Sequence, residues 1–106
     1  HMSERPERAL VTGASSGIGR EIARILASQG TNLVICARRQ TELEELATEL
    51  NEKHGTESQI IISDLSTEEG VNQLIKEAGE VDILVNNAGF GPVENTLMWI
   101  SIGSYR

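Results

Sequence analysis

Apolar residues along the chain alternate between two rhythms. Short runs that are wholly or nearly apolar occur at Ala9-Leu10-Val11, Leu33-Val34-Ile35-Cys36-Ala37, Ile60-Ile61-Ile62 and Val81-Asp82-Ile83-Leu84-Val85. Between them, apolar residues recur three and four positions apart, which is the spacing of one helix face. Ile18, Ile22, Ile25 and Leu26 make the first such face, within a helical pattern over Glu21 to Ser28. Leu43, Leu46, Ala47 and Leu50 make the second, and Val71, Leu74, Ile75 and Ala78 the third. Continuous apolar runs suit strands covered on both faces, as in parallel sheets. The order β-α-β-α-β-α-β therefore predicts an α/β fold with right-handed crossovers.

Local signals punctuate the same elements. Gly30, Gly55 and Gly79 stand where the helical patterns stop, as residues that can turn the chain left-handed at a helix end. Thr41-Glu42-Leu43-Glu44 reads as a capping box, with Thr41 as N-cap and Glu44 three positions in. Ser66-Thr67-Glu68-Glu69 reads as a second. No internal repeat or linker interrupts the chain, so residues 1–106 are expected to form a single domain. His1-Met2 reads as a cloning remnant.

Composition narrows the functional classes. The net charge of −7 argues against a nucleic-acid partner, which needs a basic surface. No apolar run approaches membrane-spanning length and no signal peptide is visible, so a soluble, cytoplasmic protein without a membrane partner is expected. Cys36 is the sole cysteine and sits in an apolar run, where it reads as a small packed hydrophobe. His54 has no companion ligand, so no metal site is expected.

The candidate chemistry lies where each apolar run ends. The first run opens onto Thr12-Gly13-Ala14-Ser15-Ser16-Gly17-Ile18-Gly19. A helix N-terminus carries unpaired N–H groups and partial positive charge, and glycines let a pyrophosphate approach without meeting a Cβ. Ser15 and Ser16 add hydroxyl donors beside the same anion. A plain glycine-rich turn is the alternative. The second run ends in Arg38-Arg39, the third in Asp64-Leu65 and the fourth in Asn86-Asn87-Ala88-Gly89. In an open parallel sheet these ends share one edge, where ligands bind. An arginine about 20 residues beyond the glycine loop accommodates a 2′-phosphate, whereas a carboxylate there binds the ribose hydroxyl of NAD. Arg38 and Arg39 therefore favour NADP over NAD, unless they are only the solvated start of a helix.

Taken together, Thr12 to Gly19, Asp64-Leu65 and Asn86 to Gly89 resemble the short-chain dehydrogenases/reductases over roughly Ala9 to Gly91. The resemblance implies a Rossmann-like three-layer fold, here truncated, with four parallel strands in order 3-2-1-4 and three helices. The first two helices would cover one face, with the third helix and the tail on the other. It implies roles as well. Gly13, Gly17 and Gly19 would surround the pyrophosphate, with Ile18 near it. Asp64 would accept from the adenine amino group, and the Leu65 backbone would meet the ring. Asn87, Ala88 and Gly89 would line the ribose and pyrophosphate side, and Asn86 would brace the glycine loop.

The family moves hydride between a nicotinamide cofactor and a carbonyl or alcohol. It uses a tyrosine as acid/base, with a lysine four residues later, a serine and an asparagine. None of these catalytic groups finds a match here. Tyr105 has no residue four positions on, Ser104 is too close to it, and Asn95 is too close to the fourth strand. Residues 92–106 diverge from the family pattern. The expectation is an NADP(H)-binding portion that is inactive alone. The alternative is a nonenzymatic nucleotide-binding or interaction module. The fourth strand is expected to be an exposed apolar edge that, with the tail, makes the chain a homo-oligomer.

Overall fold

The computed structural model describes residues 7–88. Strands β1 (Arg8–Thr12), β2 (Asn32–Ala37), β3 (Ser58–Ile62) and β4 (Ile83–Val85) alternate with helices α1 (Gly17–Ser28), α2 (Gln40–His54) and α3 (Glu68–Ala78). All pairings are parallel and the sheet order is β3-β2-β1-β4, as expected. Ala9 stands between Leu33 and Ile83, and Leu10 between Val34 and Leu84.

The strand pleat divides the apolar residues between two cores. Ala9, Val11, Leu33, Ile35 and Ala37 meet Ala23 and Ala27 of α1 and Leu43, Leu46 and Leu50 of α2. Leu10, Val34, Cys36 and Ile61 meet Val71, Leu74 and Ala78 of α3. Alternate positions of one strand thus feed opposite layers, which is why its run is apolar throughout. Burial pushes the Cys36 thiol up to about 12, so it packs as an inert hydrophobe.

Several local expectations are corrected. α1 starts at Gly17, four residues earlier than the apolar pattern suggests. Its buried stripe is Gly19, Ala23 and Ala27, whereas Ile18 and Ile25 are 71% and 57% exposed. Small side chains let the helix axis approach the sheet closely, and that contact outweighs the burial of two isoleucines on a neighbouring stripe. Gly30 does close the helix: its N–H donates to Ala27 O, while the Thr31 N–H donates to Leu26 O.

The N-cap of α2 lies two residues before the expected one. Arg39 is the N-cap and Thr41 lies inside the helix, so no capping box forms; Gln40 donates instead to the Glu44 carboxylate at 2.8 Å. In α3 the cap is Thr67 rather than Ser66, and its hydroxyl accepts from the Gly70 N–H. β4 is shorter than its apolar run; just before it, the Asp82 N–H donates to Arg8 O at 2.7 Å and the Asp82 carboxylate accepts from the Arg8 N–H at 2.9 Å. Among the described residues β4 pairs only with β1, and Ile83, Leu84 and Val85 are each half-buried. Among these residues no helix is long and apolar enough to cross a membrane. Gly89 and the tail lie outside the described residues.

Candidate functional site

The C-terminal ends of β1, β2 and β4 form a polar recess of about 280 Å³. It is lined by Gly13, Ser15, Ser16, Ala37, Arg38, Arg39 and Asn87. Residues 74 positions apart in sequence thus meet at one rim, because parallel strands all deliver their ends to the same side.

Thr12 makes the junction. It is fully buried, and its hydroxyl oxygen accepts from the Asn87 N–H at 3.0 Å and the Ala88 N–H at 3.1 Å. Its own proton is within reach of Asn86 Oδ1 at 3.3 Å and Val85 O at 3.4 Å. Asn87 Nδ2 donates to Gly13 O at 3.2 Å. The Asn87 side chain thus braces the glycine loop directly, beside Asn86, which the sequence suggested for that role. Asn86 reaches the loop through the Thr12 hydroxyl.

The glycines serve different physical needs. Gly13 and Gly17 have φ of 64° and 61°, in the left-handed region that side chains avoid. A Cβ on Gly17 would meet nothing within 4 Å, so open space lies before the helix start. Gly19 is instead required by contact: its Cβ would overlap Gly13 O and lie 2.7 Å from Asn87 Nδ2. The loop doubles back on its own helix, and only glycine fits there.

The α1 N-terminus suits an anion. Its N-cap, Ser16, makes no side-chain cap bond, and the first turn carries no acidic residue. The first turns of α2 and α3 do carry acids, Glu42 in one and Glu68 and Glu69 in the other. Exposed Ile18 stands at this helix start.

Arg38 and Arg39 follow β2 onto the same rim. Arg39 lies 3.8 Å from Glu42, with its side chain 67% exposed. Arg38 forms no ion pair among the described residues. On the neighbouring strand end, Asp64 Oδ1 accepts from Ser66 Oγ at 2.7 Å and Ser66 N at 3.0 Å. Those bonds, helped by the positive charge of Arg38, hold its carboxyl below the usual aspartate range. Asp64 is thus an exposed, ionised acceptor near Arg38, while the Leu65 side chain is buried against α3. Ala88 is exposed at the end of β4. Gly89, expected in the same group, lies outside the described residues.

This arrangement suits an anionic ligand: the first turn of α1 carries no acid, Arg38 forms no ion pair among the described residues, and the exposed Asp64 carboxylate sits one strand further out. Among the described residues no three metal-ligating side chains converge. Sequence reading missed the role of Thr12. Its one signal was a hydroxyl residue closing an otherwise apolar strand.

Comparisons with known proteins agree with this geometry. The family model described as short chain dehydrogenase matches residues 7–99. The chain is 46% identical over 88 residues to the uncharacterized oxidoreductase YvaG of Bacillus subtilis, covering 81% of this chain and 33% of that protein. It is 43% identical over 89 residues to dehydrogenase/reductase SDR family member 7B of Xenopus laevis, covering 76% and 28%. It thus spans about a third of the length of these curated relatives. L-Sorbose reductase from Gluconobacter frateurii, solved with NADPH and L-sorbose, superposes with a TM-score of 0.76 at 32% identity, over 94% of this chain and 44% of that one. A short-chain dehydrogenase from Sphingobium yanoikuyae in complex with NADPH gives 0.73 at 35% identity, over 78% and 34%. With most of its length matched by the family model, and with the glycine loop, acidic strand end and asparagine strand end on one rim, the chain belongs to the short-chain dehydrogenase family.

Proposed function

We propose that this polypeptide is the NADP(H)-binding portion of a short-chain dehydrogenase/reductase. One observation carries the reading: the glycine loop, Arg38 and Asn87 line a single recess at the strand ends. In this reading the α1 N–H groups and Gly13, Gly17 and Gly19 hold the pyrophosphate. Arg38, with help from Arg39, Ser15 and Ser16, holds the 2′-phosphate through paired hydrogen bonds. Asp64 accepts from the adenine amino group, the Leu65 backbone meets the ring, and Asn87, Ala88 and Gly89 line the ribose. The NADPH-bound sorbose reductase and Sphingobium dehydrogenase support this choice of cofactor.

When bound, the nicotinamide supplies or receives hydride. The residues present here bind and orient the other end of the molecule. The 106 residues contain one tyrosine, Tyr105, and no Tyr-x-x-x-Lys. The proposal is therefore binding without turnover for this stretch of chain. A calorimetric titration with NADPH and NADH tests the binding, and NADPH consumption across carbonyl substrates tests the turnover. NADPH binding with no consumption above background is expected. Consumption well above background contradicts inactivity, and the lack of any dinucleotide binding contradicts the whole reading. The same missing pair supports the second reading, a nonenzymatic nucleotide-binding module. Activity regained on mixing with the remainder of a family member favours the first over the second.

A further inference from the structure

Gly70 lies in the first turn of α3, and its φ is not in the left-handed region. Glycine inside a helix is less favourable than alanine, so its presence needs a cause other than conformation. The cause here is space. A Cβ on Gly70 would overlap Asp64 O and lie 2.7 Å from the Asp64 carbonyl carbon and 3.0 Å from Ser63 Oγ. Both polar backbone groups of Gly70 are also tied into the β3 turn. Its carbonyl accepts from the buried Ser63 hydroxyl at 2.7 Å. Its N–H donates to Thr67 Oγ1 at 3.0 Å, and Thr67 Oγ1 in turn donates to Asp64 O at 2.9 Å.

We propose that Gly70 is a positioning residue for the adenine end of the site: by letting α3 close onto the β3 turn, it fixes where Asp64 presents its carboxylate. This rests on the nucleotide reading above. The Asp64 carbonyl is gripped by Thr67 on one side and faces the bare Cα of Gly70 on the other. A methyl group at residue 70 pushes that peptide outward and carries the attached carboxylate away from the rim. Leu65, anchored in the core beneath α3, makes the turn pivot rather than slide.

The readout is the preference for adenine over hypoxanthine. A carboxylate accepts from the adenine amino group and repels the oxygen that hypoxanthine carries in its place. Binding of NADPH and of its hypoxanthine counterpart is measured for the wild type and Gly70→Ala. The wild type is expected to prefer adenine by about tenfold, a charge-assisted hydrogen bond's worth. Gly70→Ala is expected to bring that ratio below about threefold while leaving the NADPH-over-NADH preference unchanged. A variant that weakens every dinucleotide alike and keeps the adenine ratio overturns the positioning role. If Gly70→Ala does not fold, Ser63→Ala opens the same clamp without adding bulk; it is expected to lower the adenine ratio, and an unchanged ratio overturns the proposal. Wild-type protein that binds NADPH with no adenine preference overturns this inference alone. Failure to bind either dinucleotide overturns the reading beneath it as well.

Discussion

Thr12 does at one atom what no single motif does: it joins the end of β1 to the end of β4. Its hydroxyl satisfies two backbone N–H groups that would otherwise face a buried threonine without a partner. Thr12→Val keeps the shape and removes the acceptor, which for these part-buried bonds costs roughly 0.5–1.5 kcal/mol. Chemical denaturation is expected to show that loss, together with weaker nucleotide binding, because the Asn87–Gly13 contact depends on the same junction. An unchanged midpoint would show that water replaces the hydroxyl without cost. Gly19→Ala is expected to be worse than its size suggests, because the new methyl has Gly13 O as its neighbour. Overpacking of this kind typically costs about 1–3 kcal/mol. Neither effect was legible in the sequence. The Thr12 contacts join residues more than seventy positions apart, the Gly19 contact depends on how the loop doubles back on its helix, and no local pattern encodes either.

Among the elements, α1 shows where a pattern misleads. Its isoleucines recur at helical spacing, yet the face that meets the sheet carries glycine and alanine. A hydrophobic pattern marks the greasiest stripe, not the stripe on which a helix packs closest. Ile25→Gln is therefore expected to shift stability by less than about 0.5 kcal/mol, and Ala23→Leu to lower it by about 1–3 kcal/mol. The reverse order in thermal unfolding would restore the isoleucine face. The faces of α2 and α3 were readable because leucine and valine there both mark the stripe and fill it. The caps were readable only to within a residue or two: Ser66 and Thr67 compete for one role at α3, and α2 starts from Arg39 with no side-chain cap bond.

The α1–α2 contact also carries a pH signature. Arg24 donates to both Glu49 carboxylate oxygens, at 2.8 and 2.9 Å, and also to Glu21. The Arg24 bond holds the Glu49 carboxyl below the usual glutamate range. A carboxylate whose pKa falls on folding stabilises the protein above its unfolded value, and that contribution is lost as pH falls through the folded value. Glu49→Gln is expected to cost less than about 1 kcal/mol at pH 7, because the pair is partly exposed. The gap between variant and wild type is expected to close as pH drops below about 4.3. A gap that persists unchanged at pH 3 assigns the loss to packing rather than charge.

At the scale of the whole molecule, the parallel sheet followed from the alternation of runs and faces, and the strand order from the family resemblance together with the crossover rule. The parallel sheet also brings strand ends together: Arg38 and Asn87 line one recess, and Asp64 on the neighbouring strand end feels the Arg38 charge. The fourth strand was likewise expected to be an exposed apolar edge. Its three residues are half-buried and pair on one side only among the described residues. We propose that this edge pairs with another chain, so light scattering at micromolar concentration is expected to give a dimer or larger species; a monomer removes that idea. The central claim concerns the rim and is tested most directly by a titration of the wild type and Arg38→Ala with NADPH and NADH. Tighter wild-type binding of NADPH than NADH is predicted, with roughly ten- to hundredfold loss for NADPH alone in the variant. Equal affinity of the wild type for the two cofactors, or an equal loss of both in Arg38→Ala, would contradict it.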